Sequence, residues 1–289
     1  GLRSLGCKIN LSTGIHVHHD INNWKDEMRA RENGWLNNVA SKFSNLISLV
    51  SKFETFLFYL QPQSRRGYYN EATAKFTGGR WCSAMNSTNV YKLFSSVKGS
   101  FARQNGARKN SMYSILRDAS RTNSWSRRLL DTRYVGLNLF SFWRHGTAEF
   151  RYNAGSLNFT KIKNWIVLTQ SFVITAEWLS ENNKGVNNTA WDLTNVGKDM
   201  ARMKSALGLR NGSASDEHYK EAGKWLCSRV RELNPQLSIS AAQTSGGCNV
   251  CVNETCSCST HDSSAGVSDF IDVDPDDDTT LPPLPMRRI

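Results

Sequence analysis

The stretch Gly14-Ile-His-Val-His-His-Asp20 alternates polar and apolar side chains. In an extended chain this puts His16, His18 and Asp20 on one face and Ile15 and Val17 on the other. A second stretch, Thr147-Ala-Glu-Phe-Arg-Tyr152, separates Glu149 and Arg151 from Ala148, Phe150 and Tyr152, and a third sets Asn138 against Leu137 and Leu139. Imidazole and carboxylate on one wall are divalent-metal ligands, with oxygen-rich settings suiting Mg²⁺ or Mn²⁺ and His-rich ones Zn²⁺. An arginine two residues from a carboxylate offers a bidentate fork for phosphate. Taken singly, the histidines read equally well as solvent-facing strand residues and Glu149 with Arg151 as a structural ion pair. Three stretches agreeing on one polar and one apolar face weigh toward function.

The elements that position these residues follow from periodicity. Gly14 to Asp20, Tyr134 to Phe142 and Thr147 to Tyr152 are predicted strands, the last two joined as a hairpin by the short polar turn Trp143 to Gly146. Leu36, Val39, Phe43, Leu46, Ile47, Val50, Phe53, Leu57 and Leu60 keep a three-four spacing, which predicts a long amphipathic helix stopped by Pro62. A second helix is expected from about Thr160, its N-cap, to Ser180, and shorter ones near 195–207 and 216–233. Antiparallel strands with helices beside them make the fold class α+β. The two long helices are expected to cover the apolar face of the sheet.

In order and spacing, these motifs resemble the amidoligase family, a branch of the glutamine-synthetase-like carboxylate–amine ligases. The resemblance rests on Gly14 to Asp20, on Gln63-Ser-Arg-Arg-Gly-Tyr-Tyr69 after the long helix, on Arg133-Tyr-Val-Gly-Leu-Asn138 and on Gly146-Thr-Ala-Glu-Phe-Arg151, covering about residues 14 to 180. It implies a curved antiparallel sheet with long amphipathic helices on its convex face and ATP with Mg²⁺ or Mn²⁺ on the concave one. A carboxylate is phosphorylated to an acyl phosphate, and an amine then displaces phosphate to leave an amide or peptide bond. On this reading His16, His18 and Glu149 hold metal. Arg151 and Arg65 steady the transferred phosphoryl group, and His18, Asn138, Arg65, Arg66 and Arg151 contact ATP or substrate. The family domain ordinarily begins with further strands bearing paired Glu residues, which nothing before Gly14 supplies. The sequence therefore reads as an N-terminally truncated member or as an inactive relative.

Composition bounds the rest. The 289 residues are 39% hydrophobic, enough for one substantial core, and no apolar run approaches a bilayer span. Net charge is +11, with eight acidic and two basic residues in 254–289, which leaves 34 basic residues against 17 acidic ones in the body. Such a body attracts polyanions. Between Lys98 and Arg133 nine basic residues face only Asp118 and Asp131. That stretch is open to reading as a loop closing over ATP, as a nucleic-acid surface with Phe101, Tyr113 and Trp125 for stacking, or as plain solvated surface. Cys7, Cys82 and Cys227 lack motif spacing, as expected of reduced thiols in the cytoplasm. Cys248, Cys251, Cys256 and Cys258, with His261 nearby, are enough soft ligands for Zn²⁺, although the spacing is compressed and the surroundings lack apolar residues. The expected organisation is a catalytic core over 1–180, an appended helical segment over 181–240 and a disordered Cys-rich, acidic tail over 241–289. The substrates expected are small-molecule or peptide carboxylates and amines, with nucleic acid a weaker alternative and no membrane. Two rivals stay open at this level. One is a basic polymer- or nucleic-acid-binding protein on the same scaffold, and the other is a metal-dependent hydrolase using the His-x-His strand.

Overall fold

The computed structural model describes residues 5–10, 13–30, 35–71, 75–79, 81–85, 101–120, 134–186, 196–209 and 217–234. In chain order its first elements are β1 (Val17–Asp20), α1 (Asn22–Ala30), α2 (Trp35–Tyr59), α3 (Gln63–Arg66), β2 (Tyr69–Asn70), β3 (Lys75–Phe76), β4 (Gly78–Gly79) and β5 (Cys82–Ser83). They are followed by α4 (Phe101–Ser120), β6 (Leu137–Asn138), α5 (Phe140–His145), β7 (Thr147–Phe150), α6 (Phe159–Glu181), α7 (Val196–Ala206) and α8 (Glu217–Leu233). The Cys-rich and acidic tail lies outside the described residues, as do residues 98–100 and 121–133 of the basic stretch.

Mixed helix and small antiparallel sheets make the fold α+β. The principal sheet has the order β1-β7-β6, all antiparallel, and two-stranded ladders join β2 to β3 and β4 to β5. Register sets the chemistry: Val17, Phe150 and Leu137 form one cross-strand row, and His18, Glu149 and Asn138 form the next. A one-residue slip would exchange the polar and apolar faces, so burial of the apolar row holds this register. That face packs on α2 and α6, with Phe150 against Phe172, Phe53 against Phe172 and Tyr152 against Phe58. Val17, Leu137, Ala148, Phe150 and Tyr152 are all buried in one continuous core.

Helix α2 departs from the amphipathic expectation. Its polar residues Lys42, Ser44, Asn45, Ser48, Lys52, Glu54 and Thr55 are buried along with the apolar ones. Helices α4 and α6 both pack on α2, which makes an expected surface helix a central one. The half of the basic stretch read as a loop is therefore a 20-residue helix, with Arg108, Met112, Ile115 and Leu116 buried. Burying polar groups in α2 demands partners, and Lys42 pairs with Glu27 at 2.5 Å while Asn45 donates to the Lys184 carbonyl at 3.2 Å.

Two local expectations are corrected. The predicted strand to Phe142 and its polar turn give way to helix α5. Asn138 Oδ1 accepts from the Phe140 N–H at 3.0 Å, and Ser141 Oγ donates to the Asn138 carbonyl at 2.8 Å, so the chain turns helical directly after two strand residues. The helix buries Phe142 and ends at Gly146, whose φ of +69° is left-handed and suits glycine. The N-cap of α6 is Asn158, which accepts from Lys161 N at 3.0 Å, rather than Thr160. The helices expected near 195–207 and 216–233 form as α7 and α8, with α8 packed on α6. Among the described residues no helix is long and apolar enough to cross a membrane.

Candidate functional site

Strand alternation brings the polar residues of three strands around one carboxylate. Glu149, on the central strand, is flanked by His18 on β1 and Asn138 on β6. Its Oε1 lies 2.7 Å from Arg151 Nη1, 3.0 Å from His16 Nδ1 and 3.6 Å from His18 Nε2, while Oε2 accepts from Asn138 Nδ2 at 2.6 Å. The Asn138 amide cannot be reversed, because its oxygen is already the acceptor for Phe140 N–H. Burial favours protonation of Glu149, but the His16 and Asn138 hydrogen bonds with the Arg151 and His18 charges outweigh it and bring its pKa down to about 2. At neutral pH the group is a fixed carboxylate.

His18 Nδ1 lies 2.9 Å from Thr147 Oγ1, and its ring sits edge-on to His145. Burial, partly offset by Glu149, lowers its pKa. His19 points to the other side, with Nε2 2.7 Å from Thr169 Oγ1 on α6. Asp20 shares the polar side of β1 but serves α1, accepting the Asn22 N–H at 2.9 Å.

Arg65, on α3, reaches the same wall from outside the sheet. Its Nη2 donates to the Thr13 carbonyl at 2.8 Å and approaches the Asn153 carbonyl at 3.5 Å. Gly14 lies between Arg65 and the histidines: a Cβ there would stand 2.5 Å from Arg65 Nη2 and 3.5 Å from His16 Nε2. Burial first, and then the like charge of Arg151, lowers the Arg65 pKa. Arg65 and Arg151 each keep a buried Nε–H with no hydrogen-bond partner among the described residues.

Arg66 is placed elsewhere. Its guanidinium donates to the Gln61 and Tyr59 carbonyls and to Asn234 Oδ1, and lies over the Tyr59 and Phe76 rings. These contacts tie α3 to α2 and to the end of α8, and none is with the Glu149 cluster.

The residues present do not fit a resident metal ion. Among the described residues Glu149 is the only carboxylate in the cluster, and both its oxygens are engaged. Among the described residues no group of three or more His, Cys, Asp or Glu side chains is arranged to hold one. The arrangement instead suits an anion, since one carboxylate pairs with the Arg151 guanidinium and two imidazoles while the Arg65 guanidinium lies across Gly14 from His16.

Sequence alone did not single out Thr147, His145, Tyr134 or Cys82. Tyr134 carries the Arg151 guanidinium on its ring at 5.8 Å and touches Trp81 at 5.4 Å. The signal available for Thr147 and His145 was their adjacency to Glu149. Cys82 is buried and its thiol is pushed up to about 12 by burial and by Glu54, so it is no nucleophile.

Residues 82–173, about a third of the chain, match the model of a family described as "Putative amidoligase enzyme". The matched segment holds β6, α5 and β7, and with them Asn138, Glu149 and Arg151, while His16, His18, Arg65 and Arg66 precede it. The match points to an enzyme of ligase type. Neither a curated protein nor a solved structure matches the chain.

Proposed function

We propose that this chain carries the catalytic region of an ATP-dependent carboxylate–amine ligase, built on a glutamine-synthetase-like sheet and working through an acyl phosphate. The observation that carries the reading is the pair Arg65 and Arg151. Arg65 and the half-buried Arg151 are close enough for the charge of Arg151 to lower the Arg65 pKa, and each has a buried Nε–H with no partner among the described residues. Glu149 is the carboxylate that pairs with Arg151. Like charges held together out of water are unfavourable unless an anion comes between them. A phosphoryl group in transfer, with charge spread over its oxygens, is such an anion.

In the proposed reaction a substrate carboxylate oxygen attacks the γ-phosphorus of ATP, and the bond to the β-phosphate oxygen breaks to release ADP. Arg65 and Arg151 hold the phosphoryl oxygens as the acyl phosphate forms. An amine then attacks the acyl carbon, phosphate leaves with the C–O bonding pair, and the amine proton passes to solvent. A carboxylate with a pKa of about 2 accepts protons poorly. Glu149 therefore acts by orienting Arg151, His16 and Asn138. Because the cluster does not fit a resident metal, no step here depends on one. The Mg²⁺ or Mn²⁺ that accompanies ATP enters with the nucleotide as part of the substrate. Free thiols at Cys7, Cys82 and Cys227 support a reducing, cytoplasmic setting.

The test is phosphate release by the full chain with Mg²⁺ and ATP across pooled amino acids and short peptides, with Arg151→Ala and Glu149→Gln beside it. Amine-dependent release that both substitutions abolish is the expected result. ATP that neither binds nor turns over in any pool would overturn the reading, and hydrolysis with metal but no ATP would transfer it to a hydrolase.

A further inference from the structure

A second site shares none of its lining residues with the Glu149 cluster. A cavity of about 230 Å³ opens between the end of α2, the loop from Asn153 to Asn158, the first turn of α6 and the outer half of α8. Its size falls below the roughly 300–1,000 Å³ of pockets that take drug-sized ligands, so it suits a molecule of amino-acid size.

The lining is of two kinds. Gln61, 1% exposed, uses Oε1 to accept the Ala154 N–H at 2.9 Å, which leaves Nε2 as a buried donor that has no partner among the described residues. Asn153 likewise has a buried, unpartnered Nδ2. At the rim stand two cations, Arg229 and Lys161, which share one exposed carboxylate, Glu232 Oε1, at 2.7 and 3.8 Å. Two cations and two amide donors against one carboxylate leave the site short of acceptors and of negative charge. The rest of the wall is apolar, with Leu60, Leu157 and Trp225.

One lining residue connects the cavity to Arg65: the carbonyl of Asn153 is the group that Arg65 Nη2 approaches at 3.5 Å. A molecule anchored here by a carboxylate would present its other end toward Arg65. We propose that this cavity binds the free carboxylate of the amine substrate, which is therefore an apolar amino acid or a short apolar peptide whose own carboxylate is held and not activated. This rests on the ligase reading for the word substrate, whereas the carboxylate site itself stands on the cavity alone.

The experiment measures binding of L-leucine and of L-leucinamide to the full chain by calorimetry without ATP, in the native sequence and in Arg229→Leu, Gln61→Glu and Glu149→Gln. Gln61→Glu keeps the acceptor for Ala154 while removing the free donor, and thermal melting reports whether each variant folds. Leucine should bind roughly tenfold more tightly than leucinamide, and Arg229→Leu and Gln61→Glu should each erase most of that difference. Glu149→Gln should leave it intact. Equal binding of acid and amide, or a preference untouched in folded Arg229→Leu, overturns the proposal. Leucine binding of the expected pattern with no ATP turnover would sink the ligase reading and leave the carboxylate site standing.

Discussion

Asn138 Nδ2 donates to Glu149 from one side of the sheet at 2.6 Å while its side-chain Oδ1 accepts the Phe140 N–H and caps the turn into α5 at 3.0 Å. One side chain therefore sets both the bend that ends strand β6 and the orientation of the carboxylate on β7. Replacing it with leucine leaves the buried Glu149 Oε2 without its donor, at about 1–3 kcal/mol of stability. Asn138→Asp puts a second carboxylate against the first and is expected to be worse. Chemical denaturation of the two variants would check the order, and Asn138→Asp equal to the native chain would refute it.

Removing the planar fork of Arg151 or Arg65 should weaken phosphoryl transfer more than it weakens the fold. With each guanidinium changed to lysine, the planar fork is lost but the charge stays. Phosphate-release rates are expected to fall by roughly 10²-fold, the scale for losing one oxyanion donor, with melting temperature shifted by only a few degrees. A lysine variant at full rate would show that neither fork meets the phosphoryl group.

Gly14→Ala sets a methyl group 2.5 Å from Arg65 Nη2 and 3.5 Å from His16 Nε2. Arg65 is the flexible partner and must move, which breaks its bond to the Thr13 carbonyl. The substitution should impair activity as Arg65→Lys does while costing little stability, and Gly14→Ala combined with Arg65→Lys should be far from additive. Strict additivity in a double-mutant cycle would count against the packing argument.

Two buried groups should pull stability in opposite directions across mildly acid pH. His19, held neutral against Thr169, has its pKa lowered by burial to about 4. The unfolded chain binds that proton first, so its contribution is lost as pH falls from 6.5 toward 4, by about 3 kcal/mol. Glu54, buried beneath Tyr152 and the Met85 N–H, is raised by burial to about 7. There the folded chain binds the proton first, so stability falls by a similar amount as pH rises from 4.5 to 7. The native chain should be nearly flat between 4.5 and 6.5. Denaturant midpoints of Glu54→Gln should rise with pH over that window and those of His19→Gln should fall. Below it Glu149, with its pKa near 2, adds an acid loss as pH drops from 4.5 toward 2. A steep native profile between 4.5 and 6.5 would contradict the balance.

Asn158, rather than Thr160, should be the residue whose removal weakens α6. Asn158→Ala loses the bond to Lys161 N, worth about 1 kcal/mol, whereas Thr160→Ala should fall within about 0.5 kcal/mol of the native chain. The reverse order in thermal melts would restore Thr160 as the cap.

Much of the site was legible in the sequence because strand alternation is a period of two with no other solution once one face must be buried. It separated His16, His18, Glu149, Arg151 and Asn138 from Val17, Phe150, Tyr152 and Leu137, and the long helices were legible from their spacing. What the sequence could not carry was every property set by neighbours remote in the chain. Whether α2 lies on the surface or at the centre depends on α4, which packs on it as α6 does. Arg65 and Arg66 are adjacent in sequence, yet a single helical turn sends one to Gly14 and the other to Asn234, so one faces the cluster and the other fastens two helices. Glu149 became a carboxylate with both oxygens engaged only when Arg151, His16 and Asn138 closed on it, because hydrogen bonding is decided by distance in space and residue type alone does not fix it.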